Sequence, residues 1–252
     1  MSRETAPTLR LVMPRLKRRS ALCAACTAAV LISLEGAALG QQSADTIQTV
    51  VGMGVAASAG DGGQATEAAV VQPRGATSVA GGGVVWAEPA THVVRRAGAD
   101  GIVGTVAGSA GRGGRSGDGG PASGARLNRP SAAISTPEGV LIVDTANHRI
   151  RLVDAKGVIR TVAGTESSGY AGDGGPATAA RLRDPTGISL VPGGGFLIAD
   201  AGNHVVRRVY QDGRIATVAG IGRAGFAGDG GQATASRLSR PLAVAALPDG
   251  GF

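Results

Sequence analysis

The sequence predicts an all-β fold, a β-propeller of four-stranded antiparallel blades with about 56 residues per repeat. Three observations predict it. Several short motifs recur at this interval, which indicates a repeat architecture. Each repeat contains four short β-rich runs separated by turn residues. Aromatic residues make up only 2% of the chain, so the core is expected to consist mainly of Val, Ile, Leu and Ala.

Three markers define the repeat. Gly-Asp-Gly-Gly occurs four times, with spacings of 57, 55 and 56 residues, and Thr-Val-Ala-Gly occurs three times at intervals of 56. Three histidines follow the same interval of 56. The aspartates of the first motif are Asp61, Asp118, Asp173 and Asp229; the last glycines of the second are Gly108, Gly164 and Gly220; the histidines are His92, His148 and His204.

One repeat shows the four strands in order. Residues 186–191, 195–200, 204–210 and 214–219 are β-rich runs, and each is followed by a turn or a break. Asp212-Gly213 lies between the third and fourth runs and is a strong two-residue hairpin signal, because both residues tolerate positive φ. These residues predict one propeller blade.

A long connection joins each blade to the next. In one such connection, residues 176–182 predict about two helical turns, with Pro176 at the first helical position, where its missing N–H is not needed. Residues 44–52 resemble a fourth strand, three whole blades follow, and residues 242–247 begin another first strand. Propellers typically have 4–8 blades. We therefore interpret the chain as an incomplete propeller, truncated at its C-terminus.

Residues 1–40 are predicted to be a cleaved export signal, with an uncleaved anchor as the alternative. A basic cluster precedes a 14-residue apolar run at 21–34, which is shorter than the roughly 20 residues of a spanning helix. Both cysteines, Cys23 and Cys26, lie in that run, so we read them as apolar residues of the leader. The leader also holds six basic and two acidic side chains, which leaves only +3 on residues 41–252 and weakens a nucleic-acid interpretation.

The strings at 142–151 and 198–207 resemble the core of NHL repeats. The full unit is similar to the extended NHL repeats of secreted bacterial proteins and teneurin-type propellers, and the resemblance covers about residues 45–252. The first repeat departs from the pattern, with Trp86, Glu88 and Thr91 where the second has Ile142, Asp144 and Asn147. The resemblance implies an NHL-type propeller domain at 41–252 that binds protein, glycan or nucleic acid through one face.

Most recurring polar residues are assigned a structural role, because a catalytic site needs a unique residue and these repeat in every blade. The set comprises Asp118, Asp144, Asn147, His148, Arg151, Asp173, Asp200, Asn203, His204, Arg207 and Asp229. Asp144 with Arg151, and Asp200 with Arg207, are expected to pair across neighbouring strands. The Gly-Asp-Gly-Gly loops are attributed to turn chemistry, since one carboxylate per loop suits Ca²⁺ poorly. We predict no catalytic residue, no metal site and no cofactor.

Three repeated arginines, Arg126, Arg181 and Arg237, form a possible partner face that could hold an anionic glycan or a phosphate. A solvated or aspartate-paired surface is the interpretation that the sequence favours for these arginines. The segments at 108–116, 165–170 and 221–226 vary most between repeats, so specificity is expected there.

Two functions follow from the sequence. The favoured one is a non-catalytic binding or scaffold module, secreted or held in the cell envelope, with a protein or glycan partner. It has no stable membrane span once the leader is cleaved. The alternative is a propeller enzyme of the streptogramin-lyase or lactonase type, which would need a unique histidine or acidic cluster at the central channel.

Overall fold

The computed structural model describes residues 47–252. These residues contain three four-stranded antiparallel sheets, each of which is one blade. The first blade comprises β1 (Arg74–Ser78), β2 (Val84–Glu88), β3 (Val93–Ala97) and β4 (Val103–Ala107). The second comprises β5 (Ala132–Thr136), β6 (Gly139–Asp144), β7 (Arg149–Asp154) and β8 (Ile159–Ala163). The third comprises β9 (Gly187–Leu190), β10 (Phe196–Asp200), β11 (Val205–Val209) and β12 (Ile215–Ala219).

Strand order follows chain order in every blade, so each strand pairs with the next one along the chain. The four predicted runs of the third blade are confirmed, and each observed strand starts and ends within one residue of its predicted limits. The predicted all-β propeller fold is therefore confirmed. The predicted leader at 1–40 lies outside the described residues.

Neighbouring blades contact each other through their first strands. The hydroxyl of Thr77 donates to the carbonyl of Ala133 at 3.1 Å, and the hydroxyl of Ser131 donates to the carbonyl of Thr186 at 2.8 Å. These two bonds span 56 and 55 residues, so each of them joins one blade to the next along the chain. The three sheets lie side by side and do not close into a ring.

The hydrophobic core lies between blades. Alternate residues of a strand point to opposite faces of its sheet. In β6, Ile142 packs toward the first blade, whereas Leu141 and Val143 pack toward the third. The connecting segments fill the remaining space with Leu127 and Leu182, both fully buried. The second blade is thus stabilised by a neighbouring blade on each side.

The connecting segments contain only short turns, so the prediction of two helical turns at 176–182 is wrong. The helical part is a 3₁₀ turn at Ala177–Ala179, and Pro176 precedes it with an extended backbone. The reason is that backbone groups of the segment bond to the blade instead: the Gly174 N–H donates to Ile215 at 2.7 Å, and the Ala177 N–H donates to Gly213 at 2.8 Å. No helix in the described part of the chain is long and apolar enough to cross a membrane.

Two predicted terminal strands are also absent. Residues 47–52 and 242–247 have no strand structure, and residues 44–46 lie outside the described part. Val244 and Ala246 instead pack on the third blade, where the N–H of Ala246 donates to the hydroxyl of Ser189 at 3.0 Å. A strand requires a partner strand for its backbone groups. The segment at 242–247 has the position of a first strand without such a partner.

The last glycine of Thr-Val-Ala-Gly has a backbone conformation that explains the motif. Gly108, Gly164 and Gly220 have φ of +98°, +87° and +90°. A Cβ at each would collide with the carbonyl oxygen of the histidine in the same blade, which is His92, His148 or His204. Glycine alone combines positive φ with this close approach at low cost.

We predict that Gly164→Ala lowers the free energy of unfolding by about 3 kcal/mol or more, because it adds a backbone collision to the strain of positive φ. Gly157→Ala is the matched control: Gly157 has φ of +76° but open space around its Cβ position. It is expected to cost about 1 kcal/mol. Urea unfolding of the full chain measures both, and equal losses would contradict the collision.

Candidate binding face

An ion pair fixes each connecting segment to its blade. In the second blade, one carboxylate oxygen of Asp118 accepts hydrogen bonds from Nε and Nη2 of Arg151 at 2.9 and 2.6 Å. The other oxygen accepts the N–H and hydroxyl of Thr161 at 3.1 and 2.6 Å. Arg151 is fully buried. We call this group of an aspartate, a third-strand arginine and a fourth-strand threonine the aspartate clip.

The clip is the same in the first blade and altered in the third. Asp61 binds Arg95 and Thr105 through the same atoms. In the third blade Asp173 binds Arg207 through Nη2, whereas Thr217 bonds to the hydroxyl of Tyr170 at 2.8 Å. The guanidinium of Arg207 lies 5.7 Å from the Tyr170 ring centre, and its buried Nε has no hydrogen-bond partner.

Turn chemistry alone therefore does not account for the Gly-Asp-Gly-Gly aspartates. Burial alone would raise the pKa of Asp61 and Asp118, but hydrogen bonds from threonine and arginine outweigh it and hold both pKa values below the ordinary range. Asp229, the fourth aspartate of the motif, is exposed. The described residues show no cluster of three His, Cys, Asp or Glu side chains that could hold a metal ion.

The carboxylates at the ends of the second strands cap the neighbouring backbone. Asp144 accepts the N–H of Asn128 at 2.7 Å and the amide of Asn147 at 2.8 Å, and its closest arginine contact is to Arg151 at 3.6 Å. Burial raises its pKa to about 6, against the hydrogen bonds that lower it. At neutral pH the carboxylate is ionised, with both oxygens bonded.

Asp200 repeats this arrangement in the third blade. It accepts the N–H of Arg183 and the amide of Asn203, each at 2.8 Å, and burial raises its pKa to about 6. Among the described ion pairs Arg207 bonds Asp173, not Asp200, although its charge favours the ionised form of Asp200. The expected cross-strand pairs are thus secondary to the clip.

The departures in the first repeat compensate one another. Glu88 reaches further than an aspartate, and it accepts the indole N–H of Trp86 at 3.0 Å and the hydroxyl of Thr91 at 3.2 Å. It also pairs with Arg95 at 3.2 Å. The three substitutions therefore preserve a bonded, fully buried carboxylate.

The asparagines connect this scaffold to the variable segments. The amide of Asn147 donates to the carbonyl of Gly114 at 2.6 Å, and that of Asn203 donates to Gly169 at 2.6 Å. Gly114 and Gly169 belong to the variable segments at 108–116 and 165–170. The structural residues therefore hold these loops at one end of the blades, beside the turns between second and third strands.

The three histidines make one and the same contact. Each has a left-handed backbone, with φ between +57° and +61°. Each accepts a backbone N–H from the segment leading into the next blade through Nδ1, from Arg129, Asp184 and Arg240 at 3.1, 3.2 and 3.1 Å. An Nδ1 that accepts a hydrogen bond is unprotonated, so these rings bind in the neutral form. His148 differs in one respect, since a carboxylate oxygen of Asp184 also lies 3.5 Å from its Nδ1.

The repeated arginines Arg126, Arg181 and Arg237 lie beside the variable loops and are exposed. The stem of each passes a loop glycine: a Cβ on Gly114, Gly169 or Gly225 would approach the arginine Cδ to 2.7, 3.2 or 3.0 Å. Of the salt bridges between described residues, none involves these three arginines.

One position in the loops differs chemically in each repeat. Three residues before the aspartate of the last three Gly-Asp-Gly-Gly motifs stand Arg115, Tyr170 and Phe226, all exposed. Phe226 is 91% exposed, the highest value among the large apolar residues of the described chain. Sequence reasoning singled out the loops but not this equivalence; counting back from each motif aspartate would have found it.

A polar cleft opens between the first two loops. Its volume is about 340 Å³, and it is lined by Gly114, Arg115, Asn128, Ala146, Asn147, His148 and Glu166. Arg115 and Glu166 pair across it at 3.5 Å, and both are exposed. We use the term loop face for the segments 108–116, 165–170 and 221–226 together with the three flanking arginines.

Comparison with known proteins agrees with the expected family resemblance. Residues 182–208, which include β9, β10 and most of β11, match the family model described as NHL repeat. No curated protein sequence matches the chain. The resemblance to NHL repeats is therefore confirmed for this segment.

Solved structures share the fold at low identity. An auxiliary nutrient binding protein from Bacteroides ovatus is 18% identical, with a TM-score of 0.51 over 72% of this chain and 46% of its own. One from Bacteroides thetaiotaomicron is 19% identical, with a TM-score of 0.49 over 68% and 42%. A virginiamycin B lyase from Staphylococcus aureus is 17% identical, with a TM-score of 0.39 over 57% and 40%. This chain thus spans less than half the length of each.

We predict that Asp118→Asn lowers the free energy of unfolding by about 2 kcal/mol or more, because it leaves a buried guanidinium with a neutral partner. Asp173→Asn is the matched variant. Its loss of unfolding free energy is expected to be smaller. Asp173 makes fewer hydrogen bonds than Asp118, because Thr217 bonds to the hydroxyl of Tyr170 instead. Chemical unfolding of both proteins is the measurement, and a larger loss for Asp173→Asn would refute the altered third clip.

A second prediction concerns pH. Burial and the nearby charge of Arg129 lower the pKa of His92, so the folded state binds protons less readily than the unfolded state. The contribution of His92 to stability is complete above pH 6.5 and is lost as the pH falls through the lowered pKa. The substitution His92→Asn retains a hydrogen-bond acceptor at this position, and asparagine tolerates the positive φ of the backbone there. Relative to wild type, this variant should gain stability on acidification.

The test is to measure the unfolding free energies of wild type and His92→Asn between pH 7.5 and 5, a range that includes the ordinary histidine pKa of about 6.5. Asp144 and Asp200 have raised pKa values and act in the opposite direction, so their protonation favours the folded state as the pH falls. They cancel in the difference because both chains contain them. A difference that does not change with pH would contradict the role of His92.

Proposed function

We propose that this chain, which carries an NHL repeat within a β-propeller fold, is a non-catalytic binding module that contacts a protein or glycan partner through its loop face. The observation that carries the proposal is the contrast between a constant scaffold and a varied surface. The scaffold contacts recur in each blade, whereas Arg115, Tyr170 and Phe226 differ at one equivalent, exposed position.

Exposed aromatic and arginine side chains are the residue types that contribute most to binding energy at interfaces. Here Arg115 and Tyr170 stand on loops in which one carbonyl group is fixed by a buried asparagine. Loops held by a rigid scaffold carry binding sites in many proteins. The fold is compatible with such a role, since the Bacteroides ovatus protein of similar structure is named as a nutrient binding protein.

The proposal includes export. The basic and apolar pattern at 1–40 has the form of a cleaved leader, and the module would act in the cell envelope or outside the cell. Nucleic acid is then not the expected partner, and the remaining charge of +3 gives no reason to expect it.

The enzyme alternative requires a histidine or acidic group with surroundings unlike those of its equivalents. His92, His148 and His204 instead share one contact between blades. Glu88, Asp144 and Asp200 share one buried capping position. A binding module is therefore the function that these residues support best.

The test is to express the full chain with its leader, recover the exported protein and probe it with an array of neutral and acidic glycans. Phe226→Ala is expected to weaken binding about tenfold, the effect of a central aromatic contact. Tyr210→Ala is the matched control, because Tyr210 is an exposed aromatic at the opposite end of the third blade.

A protein partner is detected by a photo-crosslinker placed at position 226, with position 210 as its control. The mature protein is expected to begin near Gln41. Equal effects at positions 210 and 226, or retention of the leader in the exported protein, would contradict the corresponding part of the proposal.

A further inference from the structure

Three connecting segments carry an exposed arginine at the same position, Arg126, Arg181 and Arg237, and the backbone of each is held in a similar way. The backbone of Arg126 donates to Ser116 and accepts from the clip guanidinium of Arg151, both at 3.0 Å. The backbone of Arg181 donates to Ala171 and accepts from Arg207, at 3.1 and 3.0 Å. Two of the three exposed arginines thus stand directly on a buried clip arginine.

The third arginine has the same setting without the clip. The backbone of Arg237 donates to Ala227 at 2.8 Å, and its stem passes Gly225 as the others pass Gly114 and Gly169. A fixed backbone and a supported stem reduce the freedom that each side chain loses when its guanidinium binds an anion. Within the described residues, none of the three is engaged in a salt bridge.

Aromatic side chains accompany these arginines in two of the three segments. Tyr170 follows Gly169, and Phe226 follows Gly225, so each ring neighbours the glycine against which an arginine stem lies. Tyr170 is 45% exposed and Phe226 is 91% exposed. Where an aromatic ring stands beside a guanidinium, the flat face of the ring can pack on a ring of the ligand. The guanidinium can donate two hydrogen bonds to the anionic group of the ligand.

We propose that the loop face binds an anionic polysaccharide, with the equivalent arginines of neighbouring segments contacting charged sugar units along one polysaccharide chain. The inference rests on the proposed function and specifies its ligand class. A ligand with a repeating charge fits a surface on which the same arginine recurs from blade to blade, and linked weak contacts of this kind add up to high avidity.

The probe is oligogalacturonate, a polymer with one carboxylate per ring, tested by calorimetry against the exported full chain. Binding is expected to strengthen steeply from short to long oligomers and to weaken as salt rises. Fully methyl-esterified oligomers of the same lengths are the neutral control and are expected to bind at least about tenfold more weakly.

The decisive test compares two triple variants that remove the same number of positive charges from different parts of the surface. Arg126→Gln, Arg181→Gln and Arg237→Gln combined should weaken binding to long oligomers by about tenfold or more, since three charge-assisted contacts are lost together. The control combines Arg96→Gln, Arg160→Gln and Arg214→Gln, which remove the same charge from exposed positions on blade strands and a hairpin. Wild-type affinity is expected for this control.

Several experimental outcomes would overturn the inference. These are equal loss in both triple variants, affinity that does not depend on oligomer length, and equal binding of single-stranded DNA of matched charge through the same arginines. Binding of neutral glycans or of a protein that depends on Phe226 but not on the arginines would also overturn it. That last result would leave the proposed binding function intact.

Discussion

The ion pair between a connecting-segment aspartate and a third-strand arginine is the interaction on which the rest of the structure depends. It holds the connection against the outer strand of its own blade, and the fourth-strand threonine binds the second carboxylate oxygen. The outer strand would otherwise be an open edge. The same connection then carries Leu127 or Leu182 into the core between blades. Polar and apolar stabilisation therefore meet in one segment.

The clip also decides what the exposed surface looks like. Its arginine donates to the carbonyl groups of Arg126 and Arg181, so the backbone of the exposed arginines is fixed by buried ones. Asparagines at the ends of the second strands fix the carbonyl groups of the neighbouring loops. The segments that carry Arg126 and Arg181 are thereby attached to buried polar side chains, while their exposed loop residues differ between repeats.

The three blades show how much variation this scheme tolerates. In the first, a glutamate, a tryptophan and a threonine together replace the usual aspartate, isoleucine and asparagine and keep the carboxylate bonded. In the third, Tyr170 takes the threonine from the clip and leaves the buried Nε of Arg207 without a partner. The first change keeps the carboxylate hydrogen-bonded, whereas the second leaves one of the four clip hydrogen bonds and adds an aromatic side chain at the loop face.

The sequence by itself determined the blade. Strand positions follow from alternating apolar residues and from turn signals such as Asp212-Gly213, which are local features, and the 56-residue period fixed their repetition. Only the tertiary structure decided the partners of the polar residues. Asp118 and Arg151 are 33 residues apart, and nothing local distinguishes that pair from the nearer Asp144 and Arg151. For the same reason the connection at 176–182 is not helical: its backbone groups bond to a hairpin more than thirty residues away along the chain.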